Sequence, residues 1–301
     1  MKEVVSVSLG SSQRDHVAES EFLGEKFRIR RVGADGDFAR AIQLLKELDG
    51  RVDAIGLGGI DLYLCANNKR YLIRDAVKLR DVVKKTPVVD GSGLKNTLER
   101  EVVRYLQEEE GWKLKGKTVL MVSAVDRFGM AEALHEAGCK IIFGDLMFGL
   151  KVPIPLRSMT TFRIVAALLL PIVTKLPFGF LYPTGEKQEK SPKSKYQKYY
   201  EEADIIAGDY LFIKRYLPPD LGGRIIITNT VTQKDVEELR AKGAALLVTT
   251  TPELQGRSFG TNVMEAVLVA IINKPWMEIT PQEYLDLLKK LDFKPRIERL
   301  N

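Results

Sequence analysis

The chain has 301 residues, 45% hydrophobic and 29% charged, with a formal net charge of +6. That length suggests two domains with ample core, and the composition is that of a soluble globular protein. Acids and bases are interleaved along most of the sequence, which argues against a nucleic-acid binder and favours solubility with a mild attraction for anions.

Cys65 and Cys139 are the only cysteines. Two distant thiols make neither a metal site nor a disulfide framework, so a reducing cytoplasm is the expected setting. The chain enters strand sequence directly, with no signal-peptide pattern.

In chain order, Glu3 to Leu9 reads as a buried strand ending in a hydroxyl-rich loop, Gly10 to His16. Lys26 to Val32 alternates polar and apolar residues as a second strand, and Asp37 caps a helix from Phe38 to Leu48. Val52 to Leu57 is a third strand, closing on Gly58, Gly59, Ile60 and Asp61. A hairpin around Asn67, a helix from Asp75 to Lys84 and a strand at Pro87 to Val89 follow. The turn Asp90-Gly91-Ser92-Gly93 then starts a long amphipathic helix, Leu94 to Glu109. Residues 1–110 should therefore form an α/β lobe of their own.

The central stretch, Leu114 to Leu146, has the size and order of a parallel strand–helix–strand unit. Strand Thr118 to Val122 leads through the loop Ser123 to Gly129 into a helix, and strand Lys140 to Phe143 ends at Asp145. Asp145 follows the loop by about twenty residues, where a dinucleotide-binding unit keeps its ribose-binding acid. The loop lacks the usual glycines: Ser123, Val125 and Phe128 stand at their positions, and Gly129 comes one residue late. Asp126 would repel a phosphate there, while Arg127 and the helix start would attract one.

Ser158 to Leu176 is the most apolar stretch. Arg163, Lys175 and Pro171 leave it short of the roughly twenty residues that a membrane span needs. A helix buried against a sheet, or at the interface of a homodimer, is expected instead. Strands follow at Phe178 to Tyr182, Asp204 to Ala207, Arg224 to Thr228 and Ala244 to Thr249. Counted from Thr118 they complete a six-stranded, Rossmann-like doubly wound parallel sheet over residues 111–275, with residues 276–301 packing back on the body. The lysine-rich segment Glu186 to Lys198 also contains acids and reads as a solvated face.

Ligands of such sheets sit outside the carboxyl ends of the strands. The candidates there are Ser123, Asp126, Arg127 and Gly129 in the loop Ser123 to Gly129, then Asp145, Thr184-Gly185, Gly208-Asp209, Asn229-Thr230, and Thr249, Thr250, Thr251 and Pro252. Singly they are also what strand-to-helix turns require. As a set on one edge they favour a binding cleft.

Asp90-Gly91-Ser92-Gly93-Leu94, the long helix, and Leu114-Lys115-Gly116-Lys117-Thr118-Val119-Leu120 resemble the shikimate/quinate 5-dehydrogenase family. The stretch Ala245 to Pro252 is similar to that family's strand ending in N-[AT]-T-P. The resemblance implies an oxidoreductase acting on a hydroxylated carboxylate, with Asp90 in the proton-transfer role. It further implies Ser12, His16 and Asp61 on the substrate, and NAD preferred over NADP because Asp145 disfavours a 2′-phosphate. The chain departs from the family at the glycine loop, at the catalytic lysine and in half of the N-terminal serine motif. An alternative follows from those departures: a two-lobe protein without the reaction, binding another nucleotide or anionic ligand at the same cleft. Arg127, Arg257 and the helix starting near Phe259 would then serve the anion. Either reading expects a small-molecule partner, with no nucleic acid and no membrane.

Overall fold

The computed structural model describes residues 1–67, 69–177, 196–251, 253–254, 257–258 and 260–301, with backbone alone at 253, 254, 257 and 258. The expected strand Phe178 to Tyr182, Thr184-Gly185 and most of the lysine-rich segment lie outside them, as do Phe259 and the Arg257 side chain.

The first sheet contains β1 (Lys2–Ser8), β2 (His16–Phe22), β3 (Glu25–Gly33), β4 (Ala54–Gly58) and β7 (Val88–Val89), in the order β2-β3-β1-β4-β7. Only β2 is antiparallel. The sequence did not announce β2, because an edge strand with one buried side chain, Ala18, has little apolar signal. Its turn to β3 is tight: Leu23 and Gly24 both have positive φ, as a two-residue hairpin requires. A separate hairpin, β5 (Tyr63–Ala66) with β6 (Lys69–Leu72), and the helices α1 (Phe38–Leu48) and α2 (Arg74–Arg80) complete the lobe.

Helix α3 (Ser92–Glu108) carries the chain to the second sheet. This sheet is built from β8 (Thr118–Met121), β9 (Lys140–Phe143), β10 (Ile205–Ala207), β11 (Ile225–Thr228), β12 (Leu246–Thr249) and β15 (Arg296–Arg299). Its order is β15-β12-β11-β10-β8-β9, with β15 alone antiparallel. The parallel strands thus run 2-1-3-4-5 in chain order. That is the second common doubly wound arrangement, not the 3-2-1-4-5-6 order of the dinucleotide-binding fold. The sixth strand comes from the chain's end and lies antiparallel on the edge.

Between the strands lie α4 (Phe128–Glu136), α5 (Met159–Val173), α6 (Gln197–Glu202), α7 (Tyr210–Arg215) and α8 (Gln233–Ala241). A two-stranded ribbon, β13 (Glu253–Leu254) with β14 (Arg257–Ser258), precedes α9 (Thr261–Ile272). Helix α9 crosses back and packs on β1 and β4, where Gly56 leaves room for the Asn262 backbone. Helix α10 (Pro281–Lys290) packs on α3 before β15 returns to the second sheet. One apolar core runs through both lobes, from Val4 and Phe27 through Leu98 and Met264 to Val119 and Ile227.

Helix α5 buries Met159, Phe162, Ala166 and Leu170 and exposes Ile164, Leu168 and Ile172. Among the described residues no helix is long and apolar enough to cross a membrane. Cys65 and Cys139 are both free thiols.

Candidate functional site

In a doubly wound sheet a crevice opens where two neighbouring strands send their connections to opposite faces. In the second sheet that point lies between β8 and β10, and in the first between β1 and β4. The carboxyl ends of all four strands meet across one cleft of about 190 Å³. It is lined by Ser8 and Gly10 after β1, Gly59 and Asp61 after β4, Asp126 and Arg127 after β8, and Asp209 after β10.

A charged network fills the base of the cleft. Lys95 Nζ donates to Asp61 Oδ1 at 2.8 Å and to Asp126 Oδ1 at 2.5 Å. Arg127 pairs with Glu99, with Asp209 Oδ2 at 3.2 Å and with Asp126 Oδ2 at 3.4 Å. Glu99 is fully buried, and Arg127 is 3% exposed. Asn229 Nδ2 donates to Asp209 Oδ2 at 3.0 Å, tying the end of β11 to the same group. Asp61, Asp126, Asp209 and Glu99 thus share two cations, so burial leaves a surplus of acid.

That surplus sets the protonation states. Burial, followed by the Asp126 charge, pushes Asp61 up to about 7. Burial also opposes ionisation of Asp126, but Lys95 and Arg127 outweigh it and hold that carboxylate below its usual range. Burial disfavours the Lys95 ammonium, yet Asp126 and Asp61 together raise its pKa, so it stays charged. The site therefore holds one fixed cation between one fixed anion and one acid that gains or loses its proton near neutrality.

Asp90 lines the cleft but is committed to its own turn. It accepts from the Leu62 amide at 2.6 Å and from the Ser92 hydroxyl at 2.5 Å. Gly91 has a φ of 95°, and a Cβ there would stand 2.7 Å from the Asn262 amide nitrogen, so α9 is seated directly on this turn. Glu265 of α9 accepts from the Gly91 amide at 2.7 Å and from the Tyr284 hydroxyl at 2.9 Å. Burial, then the charge of Asp90, pushes Glu265 up to about 8.

The other expected residues divide. His16 reaches the cleft, with Nδ1 3.2 Å from the Arg14 carbonyl. Ser12 does not line it, and its amide donates to Asp35 at 2.6 Å. Ser123 accepts from the Asp209 amide at 3.2 Å. Gly129 packs on α3, where a Cβ would stand 2.5 Å from the Asn96 carbonyl oxygen. Thr249 and Thr250 are fully buried beneath the cleft, with the Thr249 hydroxyl donating to the Thr251 carbonyl at 2.7 Å.

Asp145 faces away from the cleft. Its Oδ1 accepts from the Val125 amide at 2.9 Å, and it borders an apolar cavity of about 110 Å³ with Phe162, Val165 and Leu169. Burial pushes its carboxyl up to about 7. It braces the loop that a pyrophosphate would have to approach.

Thr230, expected beside Asn229 at the end of β11, lines the cleft; residues that the sequence reading passed over supply much of the rest: Lys95, Arg14, Arg31, Thr261 and Asn262. Lys95 and Glu99 carried a usable signal. Both adjoin the apolar positions Leu94 and Leu98 of α3, so two polar side chains four residues apart share its buried flank.

The architecture is that of a two-lobe α/β protein with one polar cleft between its sheets. The chain belongs to the family described as Domain of unknown function (DUF8754), whose model matches residues 93–300. A second model, Domain of unknown function (DUF8753), matches residues 3–90. No curated protein matches the chain. Among similar solved structures is a periplasmic ribose ABC transporter from Conexibacter woesei, 13% identical, covering 83% of this chain and 80% of that one at a TM-score of 0.33. Another is GanP, a glucose-galactose binding protein from Geobacillus stearothermophilus, at 10% identity, 99% and 97% coverage and a TM-score of 0.37. A third is a 5-methylthioribose transporter solute binding protein from Thermotoga lettingae, at 12% identity, 99% and 85% coverage and a TM-score of 0.39. At these scores the likeness carries no weight for function.

The family models that match both halves of the chain are of domains of unknown function and not of shikimate/quinate dehydrogenases, which corrects that resemblance. The oxidoreductase activity and the NAD cofactor fall with it. The reason is local: Asp145 is spent on the Val125 amide, Asp126 and Arg127 are locked into the ion network, and Gly129 serves helix packing.

Proposed function

We propose that the protein binds a small hydroxylated molecule in the cleft between its lobes, without a nucleotide. The observation that carries this reading is the meeting of two switch points across one cleft. Each supplies polar side chains from loops held by a rigid sheet. Asp61, Lys95, Asp126 and Asn229 offer donors and acceptors side by side, which matches hydroxyl groups, since each hydroxyl both donates and accepts. Displacing Lys95 from one of its two carboxylates would leave a partner for such a hydroxyl.

Thermal melting against a panel of sugars, polyols and hydroxy acids tests the reading, with Asp61→Asn alongside the wild type. A member that raises the wild-type melting temperature in a saturable way, and raises that of Asp61→Asn less, supports it. If no member stabilises the protein at millimolar concentrations, the reading is overturned.

A further inference from the structure

The corner of the cleft at the start of α9 is built differently. Helix α9 begins there at Thr261 with no side-chain cap, so the Thr261 and Asn262 amides have no acceptor within the helix, while the Val263 amide donates to the Gly260 carbonyl at 2.9 Å. The twelve-residue helix also directs its positive end into the cleft. Thr261 is only 4% exposed and lines the cleft, and its hydroxyl has no hydrogen-bond partner among the described residues. The Thr230 hydroxyl, at the end of β11, is buried and equally unpartnered. It lies 3.9 Å from where a Cβ on Gly260 would stand, next to the same helix start. A buried polar group without a partner costs free energy, and a ligand at this helix start would supply partners.

A cation stands nearby. A Cβ on Gly58 would be 3.0 Å from Ser8 Oγ and 3.3 Å from Asn262 Nδ2, so those two groups are neighbours. Ser8 Oγ accepts from Arg31 Nη2 at 3.0 Å. Arg31 already pairs with Asp15 through Nη1 at 2.8 Å; burial, then repulsion from Arg14, still lowers its pKa to about 10, and a further anion beside it would offset both effects.

We propose that this corner is an oxyanion subsite: helix α9, Thr261, Thr230 and Arg31 hold a phosphate or carboxylate group of the ligand. The inference rests on the cleft being a ligand site and names which end of the ligand is charged. The hydroxyl-bearing part then extends toward Asp61, Lys95 and Asp126.

Isothermal titration of the full chain with inorganic phosphate, and separately with acetate, tests it. Saturable millimolar binding of phosphate assigns a phosphorylated ligand, and binding of acetate alone assigns a carboxylate. The double variant Thr261→Val, Thr230→Val should weaken that binding by about tenfold or more. Thr261→Ser, which keeps a hydroxyl, should bind as the wild type does. Should the double variant not fold, Thr230→Val alone is read in the same way. If neither anion binds, or the valine variants bind them unchanged, the subsite is overturned. Neutral polyols that still bind in that case would leave the cleft reading standing, so the two failures are distinguishable.

Discussion

Lys95, near the start of the helix that leaves the first lobe, is 2.8 Å from Asp61 in the loop that follows β4. The pair closes a sequence separation of 34 residues, and Asp126 of the second lobe completes it at 2.5 Å. Lys95 therefore ties both lobes at the floor of the cleft. Removing one partner of a buried ion pair strands the other charge, at a cost of about 3–5 kcal/mol. Lys95→Met should lower the melting temperature sharply. Lys95→Met with Asp61→Asn should recover part of the loss, since a single stranded carboxylate then remains. Chemical denaturation of the three proteins reads this directly, and a double variant no better than the single one would count against the coupling.

Gly91 is the other point where the lobes are fitted together. Its φ of 95° and the Asn262 amide nitrogen 2.7 Å from a would-be Cβ leave no room for a side chain. Gly91→Ala should destabilise by roughly 2 kcal/mol through strain and displacement of α9. Gly111, with φ 68° and open space around it, should lose less on the same substitution. Equal losses at the two sites would show that backbone strain alone is at work.

Glu265 and Asp145 set the pH dependence of stability. Each has a folded-state pKa above its unfolded value, pushed by burial to about 8 and about 7. The folded state binds their protons more tightly, so their contribution is complete below about pH 4 and is lost as pH rises through those values. Asp61, at about 7, acts in the same direction. Stability should thus fall between about pH 4 and pH 8, and Glu265→Gln should flatten the upper part of that decline. Urea unfolding at several pH values measures it. A stability that rises over the same interval would contradict the assignment.

Phe143 and Phe162 stack at 4.3 Å between centroids and join α5 to the second sheet. Both are 1% exposed. Phe162→Ala should cost about 3–5 kcal/mol. Ile164→Ala, on the exposed side of the same helix, should cost under about 1 kcal/mol in the monomer. A larger loss at Ile164 that depends on protein concentration would reveal a self-association surface there.

Periodicity made the strands and helices readable, because apolar runs such as Thr118 to Val122 and Ala244 to Thr249 must be buried on both faces of a parallel sheet. Strand order was not readable. The sequence of elements from Thr118 onward is compatible with either doubly wound arrangement, and the antiparallel edge strand Arg296–Arg299 has no apolar run to announce it. For the cleft, the loop residues Asp126, Arg127, Asn229 and Thr230 were legible from their place at strand ends, and Asp61 entered with the family resemblance. Thr261 and Arg31 were not legible, because they reach the cleft from a helix start and from a strand, and Lys95 left only the signal of a polar residue on the buried flank of its helix. Asp145 misled for the opposite reason: its spacing suits a ribose acid, and only its side-chain direction shows that it braces a loop.

Amide hydrogen exchange tests the central claim most directly, with and without the most strongly stabilising polyol or hydroxy acid from the melting panel. Ligand held between the lobes should slow exchange together in residues 58–62, 123–127, 208–211 and 260–263, which come from both sheets and from α9. Protection confined to one lobe, or to the apolar cavity around Asp145 and Phe162, would contradict a shared cleft site.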